Sequence, residues 1–65
     1  MRYEIHIAMS NAAFEEGAGA EVARILRELA DKVEPMEIEE LAIPARLRDY
    51  NGNRVGFGVA QELVP

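Results

Sequence analysis

The residues that could do chemistry are few, and their spacing does not assemble them. His6 is the single histidine and there is no cysteine, so Ser10 has no second histidine to activate it and no thiolate can serve as nucleophile. His6 stands two residues after Glu4 on an alternating segment, the setting of a surface strand residue. Glu15-Glu16 and Glu39-Glu40 are paired carboxylates in sequence only, and on loops such pairs are solvated. Gly17-Ala18-Gly19 falls between a strand and a helix, where a dinucleotide-binding loop would lie. Val22 occupies its third glycine position, Glu15 and Glu16 would repel a pyrophosphate, and such a fold needs a longer chain. Asp49, Asn51 and Asn53 have the spacing that opens a calcium loop, but Arg54 and Ala60 stand where glycine and a bidentate glutamate are required. An Asx-type turn uses the same side chains without a cation. The residues predict no enzyme, no cofactor and no metal site.

Composition narrows the remaining classes. At 65 residues the chain makes one domain, residues 1–65, with a thin core. Small domains compensate with disulfides, metals or self-association. With the first excluded and a zinc site nearly so, self-association is the expected device. Hydrophobic residues make up 49% and charged ones 29%, which is ordinary for a folded domain. No apolar run approaches the roughly 20 residues of a membrane helix. The start, Met1-Arg2-Tyr3-Glu4, is too charged for a signal peptide, and a cytoplasmic location is expected. A net charge of −5 argues against binding nucleic acid, which needs clustered Lys and Arg.

The elements that must position any site follow from periodicity. Residues 2–9 alternate, with Tyr3, Ile5, Ile7 and Met9 on one side and Arg2, Glu4, His6 and Ala8 on the other, which predicts a half-buried strand. Residues 10–19 connect to a helix, with Phe14 folding back on the core and either glycine serving as N-cap. From about Ala20 to Val33, the residues Val22, Ile25, Leu26, Leu29, Ala30 and Val33 form one apolar stripe. Arg24–Glu28, Arg27–Asp31 and Glu28–Lys32 are i to i+4 pairs on the opposite face, and Pro35 stops the helix. Residues 36–44 fit a short edge strand or an extended loop. Residues 45–60 read as a hairpin turning at Asn51-Gly52, with Val55, Phe57 and Val59 inward and Gly56, Gly58 and Ala60 outward. Leu63 and Val64 could extend the last strand. The expected fold is α+β, in the order β-α-β-β, with one amphipathic helix packed on one face of a small, mostly antiparallel sheet. Ile25, Leu26 and Leu29 are expected to pack on Ile5, Ile7, Val55 and Phe57.

Two surfaces stand out. The outer sheet face is expected to carry Ala8, Gly56, Gly58 and Ala60, ringed by Glu4, His6, Arg46 and Arg48. Glycine within a strand marks close approach of another backbone, and a homodimer through this face or the edge strand would use it. The second surface is acidic: Glu28, Asp31, Glu34, Glu37, Glu39 and Glu40 share their stretch with Lys32 alone, which suits a basic partner surface.

The stretches Ala23-Arg24-Ile25-Leu26-Arg27-Glu28-Leu29-Ala30 and Leu47-Arg48-Asp49-Tyr50-Asn51-Gly52-Asn53-Arg54-Val55-Gly56, with Asn11-Ala12-Ala13-Phe14 upstream, resemble small uncharacterised proteins encoded by bacteriophages and prophages. Residues 36–44 depart from that pattern as a longer acidic insertion. The resemblance implies an accessory protein that binds, and could inhibit, a host protein. It brings no catalytic residues. The expected function is therefore a non-enzymatic protein-binding module. The alternative is a structural small homodimer or virion-associated component without a host target.

Overall fold

Strand β1 spans Arg2–Ile7, the segment whose residues alternate most regularly, and its partner is the last strand rather than the next. β3 (Arg54–Gln61) pairs antiparallel with β1 on one side and with β2 (Ala45–Arg48) on the other, giving the order β1-β3-β2. β1 and β2 thus run parallel to each other with β3 between them. The computed structural model describes residues 1–62, so Leu63 and Val64 lie outside the described residues. The fold is α+β, a three-stranded antiparallel sheet with one main helix, as the residue pattern predicts.

Helix α1 covers Ala18–Val33, starting two residues before its expected position, with Gly17 as N-cap at φ 65°. Pro35 ends it as expected: Glu34 N–H still reaches Ala30 O at 3.1 Å, and Met36 N–H then turns back to Val33 O at 2.9 Å. The buried stripe is Ile25 and Leu29, flanked by the half-buried Ala18, Val22 and Val33. Leu26 was expected in it and is instead 40% exposed. It stands about 100° round the helix from Ile25, and α1 lies over β2, leaving that flank uncovered. Ile25 and Leu29 pack with Ala45, Leu47 and Val55 of the sheet and with Ala13 and Phe14. Those last two belong to a 3-10 turn, Ala12–Phe14, started by Asn11, whose side chain accepts from Ala13 N–H at 3.1 Å. Phe14 folds back on the core as its isolation in a polar stretch predicts.

The phase of β3 is opposite to the expected one. Tyr3 stands across from Ala60, Ile5 from Gly58 and Ile7 from Gly56, and from the other side Ala45 and Leu47 oppose Gly58 and Gly56. Residues directly opposite share a face, so Gly56, Gly58 and Ala60 lie on the core side. Phe57 and Val59 lie on the other side with Glu4, His6 and Arg46. The reason is a bulge: Leu47 opposes Gly56 but Arg48 opposes Arg54, which leaves Val55 without a partner on β2. Such an extra residue lets one side chain be re-aimed. Val55 joins the core while Phe57 does not. Of the expected outer strip, Gly58 and Ala60 are buried, Gly56 is half-buried and only Ala8 is exposed.

Residues 36–44 form neither a strand nor an extended loop. Ile38–Leu41 is a short helix, α2. Leu41 N–H donates to Glu37 O at 3.0 Å, and the Glu40 carboxylate accepts from Glu37 N–H at 3.3 Å. This is the reciprocal half of a capping box.

Candidate functional site

The most organised polar arrangement lies where the start of α1 meets the β2–β3 turn, and it is built on the two buried charged residues, Glu21 and Asp49. The Asp49 carboxylate takes Asn51 N–H and Asn53 N–H at 2.9 Å each on Oδ1. Asn11 Nδ2 donates to its Oδ2 at 2.8 Å, and Asn53 Nδ2 at 3.4 Å. With N–H donors on both oxygens, Asp49, Asn51 and Asn53 build a turn, and Asn11 ties that turn to the segment after β1. Burial opposes ionisation of Asp49, but the donors from Asn53, Asn11 and Asn51 outweigh it and hold its pKa below the ordinary value.

Glu21 completes the arrangement from the helix. Arg24 donates to it twice, Nε to Oε1 at 2.7 Å and Nη2 to Oε2 at 3.0 Å, and Tyr50 N–H reaches Oε2 at 2.8 Å. The Arg24 hydrogen bonds lower the pKa of Glu21 against the cost of burial. Arg24 is correspondingly raised above its ordinary value by the same hydrogen bonds. Arg24 also donates to Arg48 O at 3.0 Å and pairs with Glu28 at 3.0 Å. The i to i+4 pattern anticipates that last pair, whereas Glu21 was missed. Its only sequence signal is the i to i+3 spacing to Arg24, and its other partner is 29 residues away. Chemically the cluster is saturated. Each carboxylate oxygen accepts from at least one donor, so the arrangement fixes the hairpin turn against the helix. Among the described residues, no three of His, Asp and Glu converge as a metal site would require.

The sequence-predicted interface residues do not form one patch. Glu4, His6 and Arg46 share the face opposite α1, where the His6 ring stacks on Phe57 with centroids 4.8 Å apart and planes 26° apart. Glu4 pairs with Arg2 at 3.6 Å. Arg48 donates to Gly52 O at 3.0 Å and belongs to the turn.

Glu28, Asp31, Glu34, Glu37, Glu39 and Glu40 are all exposed along the C-terminal half of α1 and across α2. Lys32 lies beside Glu28 and Asp31 and donates to Arg46 O at 3.2 Å. What the residue pattern did not reveal is the apolar content of this ridge: Ile38 is 50% and Ile43 67% exposed. Read as an alternating strand, each would have had a buried face. Wound into one helical turn and its exit, both point outward. Ile5, Met9 and Tyr50 are also exposed elsewhere, at 44, 51 and 62%.

No helix among the described residues is long and apolar enough to cross a membrane. No protein-family model, no curated protein and no solved structure matches the chain.

Proposed function

We propose that this chain is a non-enzymatic protein-binding module, a cytoplasmic phage accessory factor that acts as a homodimer and docks on a basic surface of a host protein. The observation that carries the docking is the ridge of α2 and its exit, where Ile38 and Ile43 are exposed among Glu37, Glu39 and Glu40. Surface carboxylates steer a basic partner into register, and desolvated apolar anchors at the centre supply the affinity. The phage assignment rests on the resemblance of residues 2–59 alone.

The test is affinity capture from bacterial lysate at low and raised salt, run beside the triple variant Glu37→Lys/Glu39→Lys/Ile43→Asp. A stoichiometric partner that is lost at raised salt and lost by the variant supports the ridge. Retention of the partner by the variant removes the ridge from the reading. Repeated failure to retain any partner favours a structural dimer without a host target.

A further inference from the structure

We infer that β1 pairs antiparallel with β1 of a second copy, centred on Ile5, to make one continuous six-stranded sheet with both α1 helices on the same side. This rests on the homodimer reading above and specifies its interface.

The first ground is where the free backbone groups point. β1 is an edge strand, bonded only to β3 among the described residues. Ala8 N–H donates to Val55 O at 2.8 Å, and hydrogen-bonded pairs recur every second residue in an antiparallel ladder. Residues Arg2, Glu4 and His6 therefore spend their N–H and C=O groups on β3, and Tyr3, Ile5 and Ile7 turn theirs to the open edge. The charges of β1, Arg2 and Glu4, lie on the face away from α1, and neither a proline nor a charge on the core side blocks that edge.

The second ground is that the residues about Ile5 are self-complementary. A two-fold axis through Ile5 sets Tyr3 against the partner's Ile7, so all three free residues bond at once. It also sets Glu4 against the partner's His6, acid against base. Centring on Glu4 would oppose two carboxylates, and centring on His6 would oppose two imidazoles and leave Glu4 facing alanine. Centring on Tyr3 would set Arg2 against the partner's Glu4 but leave Ile7 unpaired. An isologous contact needs one surface to fit its own copy, and the Ile5 register does so in charge while pairing all three free residues.

The third ground is the apolar surface left over. The α1 flank bearing Glu28 and Lys32 lines a groove with Arg46 and Arg48 of β2. Leu26 and Ala30 lie on the opposite flank, away from that groove. Ile5, on the same side of the sheet, is 44% exposed and Leu26 is 40% exposed. A second copy placed edge to edge covers Ile5 and adds apolar surface on the side of α1 that bears Leu26.

The experiment is molar mass by light scattering at tens of micromolar, with Ile5→Lys and Ile5→Cys variants. The chain has no cysteine, so a disulfide at position 5 can form only between copies. Hydrogen-bonded antiparallel pairs hold their Cα atoms about 5.5 Å apart, within the roughly 4.4–6.8 Å that a disulfide spans. The expected result is a parent mass twice 7.2 kDa, a monomer for Ile5→Lys, and near-complete crosslinking of Ile5→Cys under mild oxidation with an Ala20→Cys control uncrosslinked. A parent mass that stays doubled in Ile5→Lys, with no preferential crosslink at 5, overturns this register while leaving a dimer. A parent mass of 7.2 kDa overturns both.

Discussion

The ring of Tyr3 lies over Gly58. A Cβ at position 58 would stand 2.5 Å from the Tyr3 hydroxyl oxygen and 2.9 and 3.0 Å from Cε2 and Cζ. The missing side chain of one strand is thus the seat of a large one on its neighbour, inside the fold. Burial of this ring also raises the Tyr3 pKa.

Gly58→Ala should therefore destabilise the protein by about 1–3 kcal/mol through overpacking. Tyr3→Leu should recover part of that loss, since a shorter side chain vacates the seat. Urea unfolding of the two single variants and the double variant measures the coupling, expected at about 0.5 kcal/mol or more. Strict additivity would show that ring and backbone are not in contact.

Ile25 and Leu26 are neighbours in sequence with opposite fates. Ile25 is 1% exposed and touches the core, whereas Leu26 is 40% exposed. Ile25→Ala should cost about 2–5 kcal/mol, and Leu26→Ala measured on the monomer should stay within roughly 0.5 kcal/mol of the parent. Equal losses on thermal unfolding would place Leu26 in the core.

Gly52 holds φ at 84° in the turn, with open space where a Cβ would go. Backbone strain is then the whole effect of a substitution. Gly52→Val should lose about 1–2 kcal/mol, and Gly52→Asn distinctly less because asparagine tolerates the left-handed region. Chemical denaturation of both variants gives the comparison, and a harmless valine would contradict the turn geometry.

Acid should loosen the junction between helix and hairpin. Glu21 and Asp49 both have pKa values lowered in the fold, from unfolded values near about 4.3 and 3.9. A carboxylate with a depressed folded pKa contributes stability that is fully present above its unfolded pKa and lost as pH falls through the folded one. The melting temperature should hold above about pH 5 and fall below about pH 4. In the double variant Glu21→Gln/Asp49→Asn the fall should be shallower from a lower plateau. A double variant with the parent's acid profile would assign the acid sensitivity to other carboxylates.

Much of this architecture is legible along the chain, and the failures have local causes. β1, α1, the stop at Pro35 and the turn at Gly52 all rest on short-range patterns, and all are found in the structure. The inversion of β3 came from assuming that Val55, Phe57 and Val59 share one face because they are large. The bulge opposite Leu47 and Arg48 breaks that phase at Val55, and no residue type in the hairpin announces it. At α2, Met36-Glu37-Ile38-Glu39 mimics a period of two, while the decisive relation is Glu37 to Glu40 at a spacing of three. Glu21 stayed hidden because its burial depends on Tyr50 N–H arriving from another element. Asp49 was correctly read as turn chemistry, but its reach to Asn11, 38 residues away, is tertiary and has no trace in the local pattern.

The pairing of β1 with β3 sets a timetable for synthesis. Arg2 is bonded across from Gln61 and Ile7 across from Gly56. A ribosome that has released everything up to Asn53 has exposed the first strand, the whole of α1 and one half of the hairpin, yet has formed no ladder at all. Through that interval α1 keeps Ile25 and Leu29 without a sheet to cover them, and β1 has no legitimate partner. Another nascent copy emerging on the same message would offer it the same free edge. The strand that follows β2 out of the tunnel is the one that decides whether β1 closes onto its own chain.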